Sequence, residues 1–248
     1  MSWLAYMAIV ITAIVSLVAY IHLGNTNQRT PQLYQQLDVI VCLSFVIYFL
    51  LLSLDSRGTP CSLEIADVQK GGLFYLMLDI AVLSLLSVRH ISPGQAFGVW
   101  KLQALQLIKL SILSLAALYP LVFLVQIFLE KIQGIHPQQP LVQFLRQNTH
   151  YSDRAIVTLL AVVIAPLSEE LIFRGYLYGV LRQHIGLLGA MLITSTLFAA
   201  IHQYWPVFPG LFLLAVGLSL VYELTGCLLV PILMHSLFNF IGIVATIF

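Results

Sequence analysis

Ile164-Ala165-Pro166-Leu167-Ser168-Glu169-Glu170-Leu171-Ile172-Phe173-Arg174-Gly175 sets two adjacent carboxylates and a guanidinium inside a long apolar run. A charge at membrane depth costs at least about 2.5–3.5 kcal/mol, so such groups occur where they are paired or used. Glu170 and Arg174 are four residues apart and share a helix face, which reads as an internal ion pair. Neighbours on a helix point about 100° apart, so Glu169 faces elsewhere and is free for chemistry. Pro166 removes a backbone hydrogen bond just before the pair and predicts a kink there.

The rest of the chain makes the membrane reading general. Of 248 residues, 60% are hydrophobic and 8% charged. Soluble domains carry about 25% charged residues, which excludes a water-exposed globule. The apolar runs are continuous and about twenty residues long, the length that crosses ~30 Å of hydrocarbon as helix. A barrel would alternate apolar and polar positions instead. The fold class is therefore all-α, a polytopic membrane helix bundle. A net charge of +1 offers no basic surface for nucleic acid or acidic lipid. Cys42, Cys61 and Cys227 have no metal-type spacing and read as small apolar fillers.

Eight spans are expected, over roughly 2–23, 38–54, 72–88, 107–129, 155–181, 187–204, 207–224 and 228–247. The first lacks a basic flank and a small-residue cleavage site, so it reads as a retained helix, not a signal peptide. Arg89 to Gln106 reads as an interfacial amphipathic piece or a simple loop. The long polar stretch Glu130 to Asp153 divides residues 1–150, four spans with little chemistry, from residues 151–248, a four-helix core holding the polar constellation. Lys and Arg are shared evenly between the two sets of loops, so orientation stays open.

Downstream, Phe198 and His202 stand four apart, as do His235 and Asn239. A hairpin turning near Ile185-Gly186 would bring Glu169, about 16 residues before it, level with His202, about 17 after it. A water held by Glu169 with help from His202, and donors from His235 and Asn239 for a developing oxyanion, form the candidate site. Asp79 has no partner visible in sequence and reads as a structural hydrogen-bonding residue. Glu223 is placed near the interface, and His22, His90, His136, His150 and His184 in or beside loops.

Glu169-Glu170-x-x-x-Arg174, Phe198-x-x-x-His202 and His235-x-x-x-Asn239, in that order, resemble the three motifs of the CPBP family. That family comprises the type II CAAX prenyl endopeptidases and the bacterial Abi-type proteins. The resemblance covers residues from about Arg154 to Phe240. It implies a membrane-embedded peptidase in which Glu169 activates water assisted by His202. His235 and Asn239 would stabilise the oxyanion, and Glu170, Arg174 and Phe198 would support the site. All motif positions match.

Glu169, His202 and His235 could alternatively form a catalytic zinc site with two imidazoles and one carboxylate. No His-Glu-x-x-His helix is present and Asn239 is a poor zinc ligand, so the metal-free route is favoured and no cofactor is expected. The expected partners are membrane lipid and a membrane-associated peptide or protein, with a prenylated tail as one candidate. Low charge and short loops point to a bacterial plasma membrane. Two rivals remain: a non-catalytic immunity or scaffold protein of the same fold, and a proton-coupled transporter. The latter should show repeated broken helices, and none is found.

Overall fold

The computed structural model describes residues 33–34, 36–55, 65–133, 140–148 and 150–247. The expected span over 2–23 lies outside the described residues, as do His22 and His136. Described elements are helical throughout: α1 (Gln36–Asp55), α2 (Ile65–Val88), α3 (Pro93–Phe97), α4 (Ala104–Gln133), α5 (Pro140–Gln147), α6 (Tyr151–Leu159), α7 (Ala165–Glu170), α8 (Gly179–Ile201), α9 (Phe208–Thr225) and α10 (Leu229–Ile247). Wide π-type turns at Leu160–Ile164 and Leu171–Tyr178 join α6 to α7 and α7 to α8.

Among the described residues, four runs are long and apolar enough to cross a membrane: Ile65–Val88, Ala104–Ile132, Tyr151–Ile201 and Trp205–Thr225. The two spans expected over 155–181 and 187–204 form a single helical run broken at Gly186, whose φ of 80° and ψ of −179° turn the chain there. That backbone suits glycine, which lacks the Cβ that disfavours positive φ. With α1 and α10, the expected spans after the first each have a helix in the structure, and the protein is an integral membrane helical bundle.

One packing core crosses the residue-150 divide. Cys42 of α1, Val82 and Leu86 of α2 and Phe97 of α3 are buried with Ile172, Phe173, Tyr176 and Leu177. A second core joins Leu115 and Val122 of α4 to Leu214 and Leu218 of α9 and Val230 and Met234 of α10. Large apolar side chains such as Leu73, Met77 and Leu113 are exposed on the outer surface, as lipid-facing positions require.

The segment from Arg89 to Gln106 is not one amphipathic helix. Ser92 caps α3 with a reciprocal Gln95 contact, which closes its first turn. Phe97 is buried, its carbonyl accepts the Leu228 N–H at 2.9 Å, and α4 starts at Ala104. Arg89 leaves this segment to pair with buried Asp38, which also accepts the Tyr176 hydroxyl at 2.8 Å. Tyr34, ahead of α1, donates its hydroxyl to the Gly175 carbonyl at 2.8 Å, and burial holds that phenol far above its ordinary pKa. Both contacts tie the N-terminal helices to the π-type turn that follows the two glutamates.

Candidate active site

Pro166 supplies no N–H, and the helix before it widens into the π-type turn at Leu160–Ile164. The Ala165 N–H reaches back five residues to Leu160. The next bond in that register would run from residue 166 to the Ala161 carbonyl, and proline cannot make it. Asn239 of α10 fills the gap, donating its amide to Ala161 O at 2.9 Å. An orphaned buried carbonyl costs about 1–3 kcal/mol, so this side chain completes the backbone of the segment that carries the glutamates. The sequence reading gave Asn239 to the oxyanion, and this bond commits one of its two N–H groups.

One turn later, α7 presents buried Ser168, Glu169 and Glu170. Glu170 is fully buried and its Oε1 accepts from the Arg174 guanidinium at 2.7 Å, the pair expected from their spacing. Arg174 also donates to the Ala215 carbonyl of α9 at 3.1 Å and stands 4.6 Å over the Phe198 ring. The same Glu170 oxygen lies 2.9 Å from His235 Nδ1. A carboxylate oxygen takes an N–H, which assigns the Nδ1 proton and turns Nε2 outward.

That Nε2 faces Glu169, whose Oε2 is 3.8 Å away. The other Glu169 oxygen, Oε1, accepts the Tyr75 hydroxyl of α2 at 2.6 Å. Glu169 and His235 are 5% and 2% exposed, so both groups are withdrawn from bulk solvent. His235 therefore sits between the two glutamates, bonded to one and turned to the other.

His202 ends α8 at the half-buried edge of this cluster. Its Nδ1 lies 2.7 Å from the Phe198 carbonyl, which makes it the donor and leaves Nε2 an acceptor in the neutral ring. Phe198 is fully buried, with the His202 ring at 4.9 Å and the His235 ring at 5.7 Å between centroids. Its edge also meets Phe173 at 5.5 Å. The motif phenylalanine is thus the shared packing surface for both imidazoles and the guanidinium. Among the described residues, no group of three His, Cys, Asp or Glu side chains stands together as candidate metal ligands.

Tyr75 escapes a reading of local motifs, and so does the partner of Asp79. Tyr75 and Asp79 share a face of α2, and Asp79 accepts the Ser168 hydroxyl at 2.5 Å beside the Tyr75–Glu169 bond. Asp79 is structural, as expected, but its partner adjoins the catalytic candidate. The N-terminal part thus contributes two hydrogen-bonding side chains beside this cluster. Glu223, expected near the interface at the end of its span, pairs with Arg182 at 2.9 Å and accepts the Tyr178 hydroxyl at 2.6 Å.

Fold and site together define a polytopic helical membrane protein with a buried carboxylate–imidazole–guanidinium cluster. Residues 151–241 match the family described as type II CAAX prenyl endopeptidase Rce1-like. It is also 34% identical over 105 residues to an uncharacterized 24.3 kDa protein of Escherichia coli. That alignment takes in 40% of this chain and 48% of the relative, so the match spans about half the relative's length. No solved structure matches the chain.

Proposed function

We propose that the protein is an intramembrane endopeptidase that hydrolyses a peptide bond with water activated by Glu169. The observation that carries this reading is the 3.8 Å approach of Glu169 Oε2 to His235 Nε2 in a buried setting. That separation is too long for a direct hydrogen bond, and a water bonded to both at about 2.8 Å would span it. The match of residues 151–241 to a family described as a prenyl endopeptidase supports the same chemistry.

In this reading Glu169 takes a proton from the water as its oxygen attacks the scissile carbonyl. The proton then passes to the leaving nitrogen as the C–N bond breaks. His202, with Nε2 an acceptor, assists on the more exposed side. His235 in its protonated state, and the second N–H of Asn239, meet the oxyanion. Glu170, Arg174 and Phe198 hold the imidazoles in place. A buried carboxylate surrounded by fixed donors suffices as a general base, so no metal is assigned.

The substrate class that fits is a peptide or protein with a membrane-associated segment. A prenylated C-terminal tail is the form the family's description names, and another membrane peptide fits the same site. The setting proposed is a bacterial plasma membrane. The test is substrate trapping with full-length Glu169→Gln in native membranes, followed by mass spectrometry of the retained peptides. Peptides enriched on the variant and cleaved by the wild type support the proposal. No enrichment over a detergent-solubilised control defeats it.

A second reading has one observation behind it: Asn239 and Glu170 both serve internal bonds, as they would in a scaffold or immunity protein that kept its polar core for packing. Glu169→Gln would then leave the biological phenotype intact.

A further inference from the structure

We propose that Tyr75, from outside the family-matched segment, is the positioning residue of Glu169 and makes α2 an integral wall of the site. The inference rests on the peptidase reading for its catalytic consequence, while the hydrogen bond itself stands on geometry.

Helix α2 meets the site along one seam. Gly72, Tyr75, Asp79, Val82 and Leu86 follow the three-then-four spacing that keeps one face turned to a partner helix. Val82 and Leu86 are each 2% exposed, whereas the flanking Leu73 and Met77 are each 63% exposed toward lipid. A Cβ on Gly72 would stand 2.9 Å from Leu160 Cδ2, so the glycine permits close approach to the π-type turn at Leu160–Ile164. The two polar members of the seam land on consecutive residues of α7, Asp79 on Ser168 and Tyr75 on Glu169.

A glutamate has three side-chain torsions and needs a restraint to keep one oxygen aimed. The Tyr75 hydroxyl holds Oε1 at 2.6 Å, which directs Oε2 to His235. The phenol also stays with the ionised carboxylate as donor, the state a general base requires. Asp79–Ser168 fixes the register of α2 against α7, so the phenol arrives at Glu169 and not a turn away.

The test uses the full chain in proteoliposomes with Tyr75→Phe, which retains the ring and removes only the hydroxyl. An infrared difference spectrum, wild type minus Glu169→Gln, isolates the Glu169 carboxylate band. Tyr75→Phe should shift that band, and an unmoved band overturns the proposal whether or not cleavage is found. On a cleaved substrate, Tyr75→Phe should lower kcat roughly tenfold with KM unchanged within about twofold, as misdirection of a positioned base predicts. An unchanged kcat overturns the positioning role, and so does an equal loss in lipid-facing Met77→Leu on the same helix. A wild type that cleaves none of the trapped peptides sinks the peptidase reading instead, and the infrared band still decides the Tyr75 contact.

Discussion

Replacing Arg174 by Met would leave Glu170 buried with its principal counter-charge gone. The guanidinium is fully buried, 2.7 Å from the carboxylate, 3.1 Å from the Ala215 carbonyl and 4.6 Å above the Phe198 ring. Breaking a buried pair by removing one partner costs about 3–5 kcal/mol, and the lost cation–π contact adds about 1–2 kcal/mol. At about 2–4 °C per kcal/mol for a chain of this size, the midpoint should fall by about 10 °C or more. Glu170→Gln combined with Arg174→Met removes both charges, and replacing a buried pair with neutral groups of similar volume is far less costly than orphaning one partner. The double variant should recover at least half the loss. The assay is thermal unfolding in detergent, followed by tryptophan fluorescence and by cysteine accessibility at buried Cys42 and Cys227. A single-variant loss under about 2 °C, or a double variant no better than the single, would refute the reasoning.

Other perturbations probe separate parts of the structure. Asn239→Ala should destabilise by about 1–3 kcal/mol by orphaning the Ala161 carbonyl; in a Pro166→Ala background that cost should shrink, because the restored N–H can take Asn239's place, and a double-mutant cycle in thermal unfolding reads the difference. Arg182→Met, whose pair with Glu223 is 37% and 30% exposed, should change stability by less than about 1 kcal/mol, measured in the same unfolding assay. Chelator treatment should leave the cleavage rate unchanged, and elemental analysis showing stoichiometric zinc would reverse the metal-free assignment.

Much of the fold was legible because lipid enforces simple rules. Continuous twenty-residue apolar runs gave the helices their places, and the Ile185-Gly186 turn stood where a hairpin had to close. Glu170 and Arg174 were legible as a pair because an i, i+4 relation is local and leaves Glu169 unpaired by the same geometry. Contacts across the bundle were not. Tyr75 and Glu169 are 94 residues apart, and Asn239 and Ala161 are 78 apart, so neither bond leaves a local pattern. One signal for α2 was present: a tyrosine and an aspartate at helical spacing within an apolar span, on the same seam as Gly72, Val82 and Leu86. The partners of His235 and Asn239 were illegible for a similar reason. Their spacing places them on one face of α10, but the ring's contact with Glu170 and the amide's bond to the Ala161 carbonyl cross to a distant segment. His202 and His235 share Phe198 as a packing surface, a contact between helices that spacing alone does not show.

The most direct measurement is cleavage of a trapped membrane peptide by purified protein in proteoliposomes, comparing wild type with Glu169→Gln at matched thermal stability. A carboxylate that activates water predicts product from the wild type and a loss of at least about a hundredfold in rate from the variant. Equal rates from two equally folded proteins would contradict it.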